Sequence, residues 1–359
     1  MPRRVVVLAV AAAAVVVLAA GGWWAWRAAQ STSYEQAVAW MPKSTLRATY
    51  TDWTSVRSLA DGGSLDSSST TRDVSNFLSR AYDLDLTSTS AVVDSTYSMN
   101  RLYGFSPIDA EWEMYGQSRE GAVDVMRFGD SVDLDGVERN LRRLGYTPPA
   151  DGAGSGGVWA GTTDLVAQID PSLTPVMQNV VVLPEQRIVL LSDSDGYASA
   201  AASVVTGDEA GLDEVDGTSA LADAAGEPAT AALFASDFAC EALSMAGADE
   251  EDQAQADDLI AAAGGVSPLA GVVVAMHPDR SLVVGMHFED SDQASEDLRP
   301  RVKLASGEAP GQGGTFGERF RIKEAASDGN EIVMQLEPAA KDLPLISDLT
   351  EGPLLFASC

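Results

Sequence analysis

Four aspartates occupy matching places in the two halves of the sequence, and they are the first candidates for chemistry. Asp52 and Asp237 each precede an aromatic residue at the end of a strand-like run, and Asp130 and Asp290 each lie two residues after a phenylalanine. A pair of carboxylates can work as general acid and general base, which would make the chain a carboxylate-dependent hydrolase. Aspartate also accepts hydrogen bonds from the first turn of a helix. Because the chain holds 53 acidic residues, recurring pairs arise without catalysis, and we predict caps and no catalytic residue.

Other catalytic arrangements have little support in the sequence. The chain has two histidines, His277 and His287, and both lie in one short stretch. It lacks the Gly-x-Ser-x-Gly, Ser-x-x-Lys and His-Glu-x-x-His patterns that mark nucleophilic and zinc-dependent hydrolases. The glycine-rich stretch 152–157 leads into Val158 and Trp159, and not into a helix with a phosphate-binding lysine. The sequence therefore predicts a protein that is not an enzyme.

Two short acidic motifs, DLDG at 133–136 and DSDG at 193–196, resemble part of a calcium-binding loop. When either glycine is placed at the sixth position of such a loop, the twelfth position holds a residue that cannot bind calcium. Helix caps explain both motifs better. Asp193 would cap a helix that begins two residues later, and Asp135 with Glu138 would form a capping box.

Two Met-His pairs, Met276-His277 and Met286-His287, offer soft ligands of the kind that bind copper. They flank a turn, so we predict a hairpin in which His277 pairs with Leu282. In that register His287 lies on the same face as Met276 but four residues along, roughly 13 Å away. The four side chains would not converge, and we predict neither a metal nor another cofactor.

Two cysteines, Cys240 and Cys359, are candidates for a disulfide. An even count suggests a bridge in an oxidising compartment, whereas two buried thiols are the alternative. The bridge would close a loop of about 120 residues, worth at most roughly 4 to 5 kcal/mol in the chain-entropy model. No Cys-x-x-Cys pair occurs, so redox catalysis is not expected.

Residues 1–27 have the pattern of a signal anchor. Arg3 and Arg4 precede a stretch without charge from Val5 to Trp26, which is long enough for a helix to cross a hydrocarbon core of about 30 Å. Arginines on the short side and tryptophans at the far end indicate a cytoplasmic N-terminus, with the rest of the chain outside. A cleaved signal peptide is the competing interpretation, and the protein would then be secreted.

The net charge of −30 limits the partners of the protein. A surface this acidic repels nucleic acid and anionic lipid headgroups, so neither is expected as a partner. Solubility outside the cell explains the charge most simply, and binding of divalent cations in the envelope is the alternative.

Local patterns predict an α+β protein. Alternating residues indicate a strand at 46–53 and a hairpin formed by 110–117 and 122–128. A Gly/Ser/Thr-rich loop is expected at 62–71, and a weak helix is expected across 90–103. Strands interrupted by helices, with hairpins that supply antiparallel pairs, are typical of α+β folds.

Repeated motifs predict that this fold is duplicated. Gly-x-Ser-Pro occurs at 104–107 and 265–268, and Phe-x-Asp-Ser occurs at 128–131 and 288–291. Both repeats have nearly the same offset along the chain. The order of elements in each copy is that of a βαββαβ motif, so we predict two tandem ferredoxin-like units with antiparallel sheets after the N-terminal transmembrane helix.

The predicted organisation follows the chain in five parts. These are the signal anchor (1–27), a juxtamembrane spacer (28–44), a first α+β repeat (45–206), an acidic linker (207–227) and a second α+β repeat (228–359). Because ligand pockets favour interfaces between such units, an apolar cleft between the repeats could hold an amphiphile.

The Val/Ala-rich anchor, the run Leu46-Arg-Ala-Thr-Tyr-Thr-Asp-Trp53 and the preference for arginine over lysine resemble the single-pass or secreted envelope proteins of high-G+C Gram-positive bacteria. The resemblance covers the layout of the chain and implies a compartment, without a functional motif. We therefore expect a non-enzymatic module outside the cytoplasm that binds an envelope protein or ligand. A carboxylate-dependent hydrolase and a structural spacer without a ligand are the alternatives.

Overall fold

The computed structural model describes residues 31–63, 65–150, 152, 154, 156–340 and 343–359. The predicted anchor at 1–27 and the first residues of the predicted spacer lie outside the described residues. Within the described ranges, no helix is long and apolar enough to cross a membrane.

In this part of the chain, eleven strands form one continuous antiparallel sheet. The strands of the first half are β1 (Arg47–Thr51), β2 (Ala110–Gln117), β3 (Ala122–Phe128), β4 (Trp159–Ala160), β5 (Asn179–Leu183) and β6 (Ile188–Ser192). Those of the second half are β7 (Thr230–Ala235), β8 (Gly271–Met276), β9 (Leu282–His287), β10 (Phe320–Asp328) and β11 (Glu331–Pro338). Their order across the sheet is β10-β11-β9-β8-β7-β1-β2-β3-β6-β5-β4.

The two halves of the sheet share one strand order and meet at β1 and β7, which we call the seam. Outward from the seam, the first half runs β1-β2-β3-β6-β5 and the second runs β7-β8-β9-β11-β10. Pairing across the seam sets Thr51 opposite Thr230 and Arg47 opposite Phe234. The predicted α+β class with antiparallel strands is confirmed, and the shared order is what a duplicated unit would produce.

The predicted ferredoxin-like units are not found among the described residues. The split βαβ motif needs a third strand inserted between the two strands that flank a helix. Here β1, β2 and β3 pair in chain order, and so do β7, β8 and β9. The helices between β1 and β2 therefore lead to an antiparallel neighbour, and one sheet with a seam replaces two separate sheets.

Helices accompany the sheet throughout the described part of the chain. The longer α-helices are α1 (Ser33–Ala39), α2 (Trp53–Leu59), α3 (Thr71–Asp83), α4 (Leu134–Leu144), α5 (Thr163–Ile169), α6 (Asp195–Thr206), α7 (Thr218–Ala225), α8 (Phe238–Leu243), α9 (Glu250–Ala263), α10 (Ser291–Leu304) and α11 (Leu345–Thr350). Between α3 and β2, one helical turn at Thr96–Ser98 continues as a π-helix at Met99–Tyr103.

Both faces of the sheet are covered by helices. On the first face, α2–α5 and α8–α11 pack against alternate strand residues such as Val272 and Val274. On the second face, α1, α6 and α7 pack against the intervening residues, such as Val273. Because both faces are buried, strands such as β8 are apolar along their whole length.

The segment predicted as an acidic linker contributes to the second face. It contains α7, whose Leu221 and Ala225 are fully buried against the sheet. Upstream of α7, the 3₁₀ turn Leu212–Glu214 also buries its leucine. The acidic side chains of this segment lie on its solvent side, while its apolar residues close the core.

Candidate functional site

Two of the four recurring aspartates cap helices. Asp52 accepts hydrogen bonds from two backbone N–H groups in the first turn of α2, at 2.9 and 3.1 Å. Asp290 does the same at the start of α10, at 3.0 and 2.9 Å. Both carboxylates satisfy backbone donors that have no partner within the helix, which is a structural role.

The other two aspartates differ from their counterparts, and the four do not form one site. Asp237 directly precedes α8, but its side chain makes no capping hydrogen bond. Asp130 is exposed, with its carboxylate 3.9 Å from the guanidinium of Arg187. Because β1 and β7 are antiparallel, Asp52 and Asp237 lie beyond opposite ends of the seam, eight register positions or roughly 27 Å apart at strand rise. Asp130 and Asp290 follow β3 and β9, which are separated by four strands, or roughly 24 Å.

The Met-His hairpin forms with a register one residue away from the predicted one. Met276, and not His277, pairs with Leu282. A shift of one residue turns every side chain to the other face of the sheet. Met276 and Met286 consequently both face the core of the first face, four positions apart in the register, while His287 lies on the second face. The predicted pairing is wrong, and the four possible ligands remain apart.

The two calcium-like motifs are helix starts whose capping residues differ from the predicted ones. Asp133 rather than Asp135 caps α4, and Ser194 rather than Asp193 caps α6. Glu138 forms no capping box but accepts a hydrogen bond from a buried indole N–H at 3.3 Å. In the residues that the structure describes, no group of three or more His, Cys, Asp or Glu side chains is placed to hold a metal ion.

Cys240 and Cys359 form a disulfide, with their Cα atoms 5.7 Å apart and a sequence separation of 119. The bridge joins α8 to the C-terminal segment, whose short helix Leu355–Ala357 is buried against the first face. Structural disulfides of this kind persist in oxidising compartments.

Two fully buried acids, Glu113 on β2 and Asp124 on β3, lie on the first face and were not predicted from the sequence. Glu113 accepts hydrogen bonds from the Trp53 indole at 2.8 Å, the Ser90 hydroxyl at 2.7 Å and the Ala91 N–H at 2.7 Å. Both oxygens of Asp124 lack a hydrogen-bond partner among the described residues. Burial raises the pKa of both acids, and the nearby Glu113 raises that of Asp124 further. Neither side chain is accessible to a substrate.

A groove with a volume of about 610 Å³, which we call the polar groove, opens on the first half of the protein. One wall is formed by residues 67–74, which lead into α3, and the other by residues 96–101. The second wall includes the first residues of the π-helix Met99–Tyr103. π-Helical turns are rare and occur frequently at functional sites, so the polar groove is the strongest candidate for a binding site.

Hydrogen bonds tie the two walls of the polar groove together. The Tyr97 hydroxyl donates to the Thr71 carbonyl at 3.2 Å. The Asn100 side-chain amide donates to the Ser67 carbonyl at 3.1 Å. These bonds hold the walls at a fixed separation, so the groove is formed before a ligand arrives.

Asp170 fixes the charged end of the polar groove. Its carboxylate accepts hydrogen bonds from the hydroxyls of Ser98, at 2.6 Å, and Ser172, at 2.8 Å. These bonds lower the pKa of Asp170 to about 2, so it is ionised at neutral pH. The guanidinium of Arg101 lies 3.6 Å from it and remains largely exposed at the groove.

The lining of the polar groove combines hydrogen-bonding groups with one exposed ring. Serine and threonine hydroxyls, the Asn100 amide and the Arg101 guanidinium supply both donors and acceptors. Tyr97 is 39% exposed, and Val74 provides an apolar patch at the base. Such a lining suits a ligand with many hydroxyls and some C–H surface. An acyl chain would leave the polar groups without partners.

Contacts between the two halves close the place where an apolar cleft was predicted. The guanidinium of Arg280, in the second half, donates a hydrogen bond to the Leu84 carbonyl of the first half. Asp85 accepts from the backbone N–H groups of Ile346 and Ser347 at 2.8 and 3.0 Å. A residue of the first half thus caps α11 of the second, where the preceding Pro344 provides no side-chain cap.

Comparison with known proteins gives little further guidance. No family model matches the chain, and no curated protein matches it. One solved structure, described as "Structure of crystal form I of TP0453", is similar at a TM-score of 0.39 and 7% sequence identity, covering 90% of this chain and 100% of that chain. A similarity of this size supports no argument about function.

Proposed function

We propose that the protein is a membrane-anchored, non-enzymatic module outside the cytoplasm that binds a carbohydrate of the cell envelope in the polar groove. The observation that carries the proposal is the groove itself: a cavity of about 610 Å³ with one π-helical wall and a lining of hydroxyls, an amide and a guanidinium. Carbohydrates present hydroxyl groups around a C–H surface, which matches these donors and acceptors beside the ring of Tyr97.

Two features support a location outside the cytoplasm. The Cys240–Cys359 disulfide requires an oxidising compartment to persist. The uncharged sequence from Val5 to Trp26, preceded by arginines, has the length and flanks of a signal anchor. The net charge of −30 is compatible with a soluble body beyond the membrane and disfavours nucleic acid as a partner.

The alternative functions fit the contacts less well. A hydrolase needs an accessible carboxylate pair, but Asp52 and Asp290 are engaged as caps, and Glu113 is buried with its oxygens occupied. An amphiphile would need space between the two halves, but the pairing of β1 with β7 and the bonds from Asp85 to α11 join them there. A structural spacer has no use for a groove with an exposed ring such as that of Tyr97.

The first test is native mass spectrometry of residues 31–359, produced in an actinobacterial host and purified gently from its exterior. A co-purifying mass that contains hexose units would support the proposal and identify the ligand class. A fatty-acid mass would favour the amphiphile alternative instead, and a bare polypeptide that binds no envelope fragment would favour the spacer.

A second test locates the ligand with paired tyrosine variants. Envelope oligosaccharides are titrated and binding is followed by ligand-observed NMR. Tyr97→Ala should abolish binding because it removes the only aromatic ring that lines the described groove. Tyr82→Ala is the matched control, since Tyr82 is 76% exposed on α3 but does not line the groove. Equal binding by both variants would contradict the proposed site.

A further inference from the structure

A second pocket, on the other face of the sheet, contains a buried histidine beside several acids. It has a volume of about 440 Å³ and lies where the turn Leu212–Glu214 and the start of α7 cover the ends of β9 and β11. His287, the last residue of β9, lines this pocket together with Asp216 and Glu331. The side chain of His287 is only 4% exposed, so its hydrogen bonds decide what the pocket can bind.

The contacts of His287 show which ring nitrogen carries a lone pair. Nδ1 lies 2.8 Å from Oε1 of Glu331. An ionised carboxylate can only accept, so Nδ1 carries the proton of this hydrogen bond. In the neutral ring Nε2 then holds the lone pair, and it has no hydrogen-bond partner among the described residues. Histidines that bind metal are usually oriented in this way, by a carboxylate at the other ring nitrogen.

Asp216 offers a second ligand at a suitable distance. Its Oδ2 lies 3.8 Å from Nε2 of His287, which is too long for a hydrogen bond. Two ligands that each lie about 2.1 Å from a zinc ion, at a tetrahedral angle, are roughly 3.4 Å apart. Because the Asp216 side chain is 94% exposed, a small rotation brings it to that separation.

The backbone beside Asp216 is shaped to lie against the imidazole. Gly217 has a φ of +76°, and a Cβ at this position would overlap the ring of His287. Glycine is therefore needed both for the left-handed conformation and for the close approach. This contact holds the Asp216 backbone next to Nε2, so the two ligands come from segments that are fixed against each other.

We propose that His287 Nε2 and the Asp216 carboxylate bind a divalent transition-metal ion such as Zn²⁺, with water in the remaining coordination positions. A mixed imidazole and carboxylate site suits Zn²⁺, whereas Ca²⁺ takes oxygen ligands alone. Asp213 and Glu214 also line the pocket and add negative charge that attracts cations. Lys43, 3.6 Å from Glu214, offsets one of these charges. With two protein ligands, the ion is bound weakly and exchanges with solution.

The test uses the full chain in detergent, freed of metal with a chelator. Zn²⁺ is titrated by calorimetry, and Co²⁺ is then added to protein with isotope-labelled imidazole rings. The chain contains two histidines, so His277 is an internal reference. We expect one binding event and selective paramagnetic broadening of the His287 ring. Equal broadening of both rings, or no binding event, would overturn the proposal.

Three variants separate a metal site from a purely structural histidine. Asp216→Asn should weaken Zn²⁺ binding about tenfold or more, and its exposure makes a folding defect unexpected. Glu331→Gln should weaken it by roughly 10- to 100-fold, because the ring loses its orienting carboxylate. His277→Gln should bind like the wild type. If Asp216→Asn binds Zn²⁺ with wild-type affinity, Asp216 is not a ligand and the proposed site is refuted.

Discussion

Replacing Glu113 by glutamine is expected to destabilise the protein, although the two side chains have nearly the same shape. In the folded chain one carboxylate oxygen accepts from Trp53 and Ser90, and the other accepts from the Ala91 N–H. An amide has a single accepting oxygen, and its NH₂ group would face a backbone or indole donor. Glu113→Gln therefore leaves at least one of these largely buried donors without a partner.

The size of the effect follows from these contacts. An unpaired buried donor costs about 1–3 kcal/mol, and the neutral amide recovers part of this because it avoids the burial of a charge. We expect Glu113→Gln to lower the free energy of unfolding by about 1–2 kcal/mol. Glu113→Ala leaves all three donors unpaired and adds a cavity, so we expect about 3–5 kcal/mol.

The measurement is urea unfolding followed by circular dichroism, with the midpoint and the slope fitted separately. Glu111→Gln on the same strand is the matched control, because Glu111 is exposed and its change should stay within about 0.5 kcal/mol. If Glu113→Gln is as stable as the control, the three hydrogen bonds do not contribute as described and the reasoning is refuted.

Three further predictions follow from caps, burial and the disulfide. Asp52→Ala should lower the free energy of unfolding in urea by about 1 kcal/mol, because it removes two capping hydrogen bonds. The Asp237 side chain makes no capping bond, so Asp237→Ala should change the free energy of unfolding by no more than about 0.5 kcal/mol. Burial raises the pKa of Asp124, so its contribution to stability is present below the ordinary aspartate pKa of about 3.9 and is lost as pH rises through the raised value. Asp124→Asn should reduce this decline in the free energy of unfolding measured across pH, and the raised pKa of Glu113 accounts for part of what remains. An unchanged decline would contradict the prediction. Replacing Cys240 and Cys359 by alanine should lower stability by at most roughly 4 to 5 kcal/mol, seen as a lower melting temperature that reductant no longer affects.

Local elements were predictable where the alternation of apolar and polar residues and the position of turn-forming residues indicate the same strands. The strands β2 and β3 have the bounds that alternation indicated, and so does the turn between them. Pairing between distant strands was not predictable, because nothing in β1 specifies β7 as its neighbour. The register of β8 and β9 was missed because the His277 N–H donates to the Ser281 carbonyl and closes the turn one residue earlier.

The buried acid Glu113 shows how a local irregularity hides a residue from pattern analysis. Regular alternation would place Glu111 and Glu113 on the same face of β2. The register with β3 shifts between Ala110 and Trp112, so Glu111 is an extra residue in a bulge. Glu111 is thereby turned to solvent while Glu113 enters the core. Because β2 contains both Glu111 and Glu113, its sequence does not distinguish the buried acid from the exposed one.

The polar groove could not be predicted because it combines two segments with weak patterns. The first was expected to be a loop at 62–71, and the second was expected to be an ordinary helix across 90–103. Sequence preferences do not distinguish a π-helix from an α-helix over so few residues. The groove also depends on the bond between Tyr97 and the Thr71 carbonyl, which only the folded structure reveals.

The seam between β1 and β7 also determines which strands are left with unpaired backbone groups. Separated from the other half, each half would present β1 or β7 as an open strand edge, which invites aggregation. β7 is apolar apart from Thr230, and β1 carries one charge, on Arg47. In the joined sheet the outer strands are β10 and β4. β10 carries charged residues and a bulge near Ile322, and the two-residue β4 is covered by a bridge to Thr147. Pairing of β1 with β7 therefore removes two open edges through which separate molecules could associate.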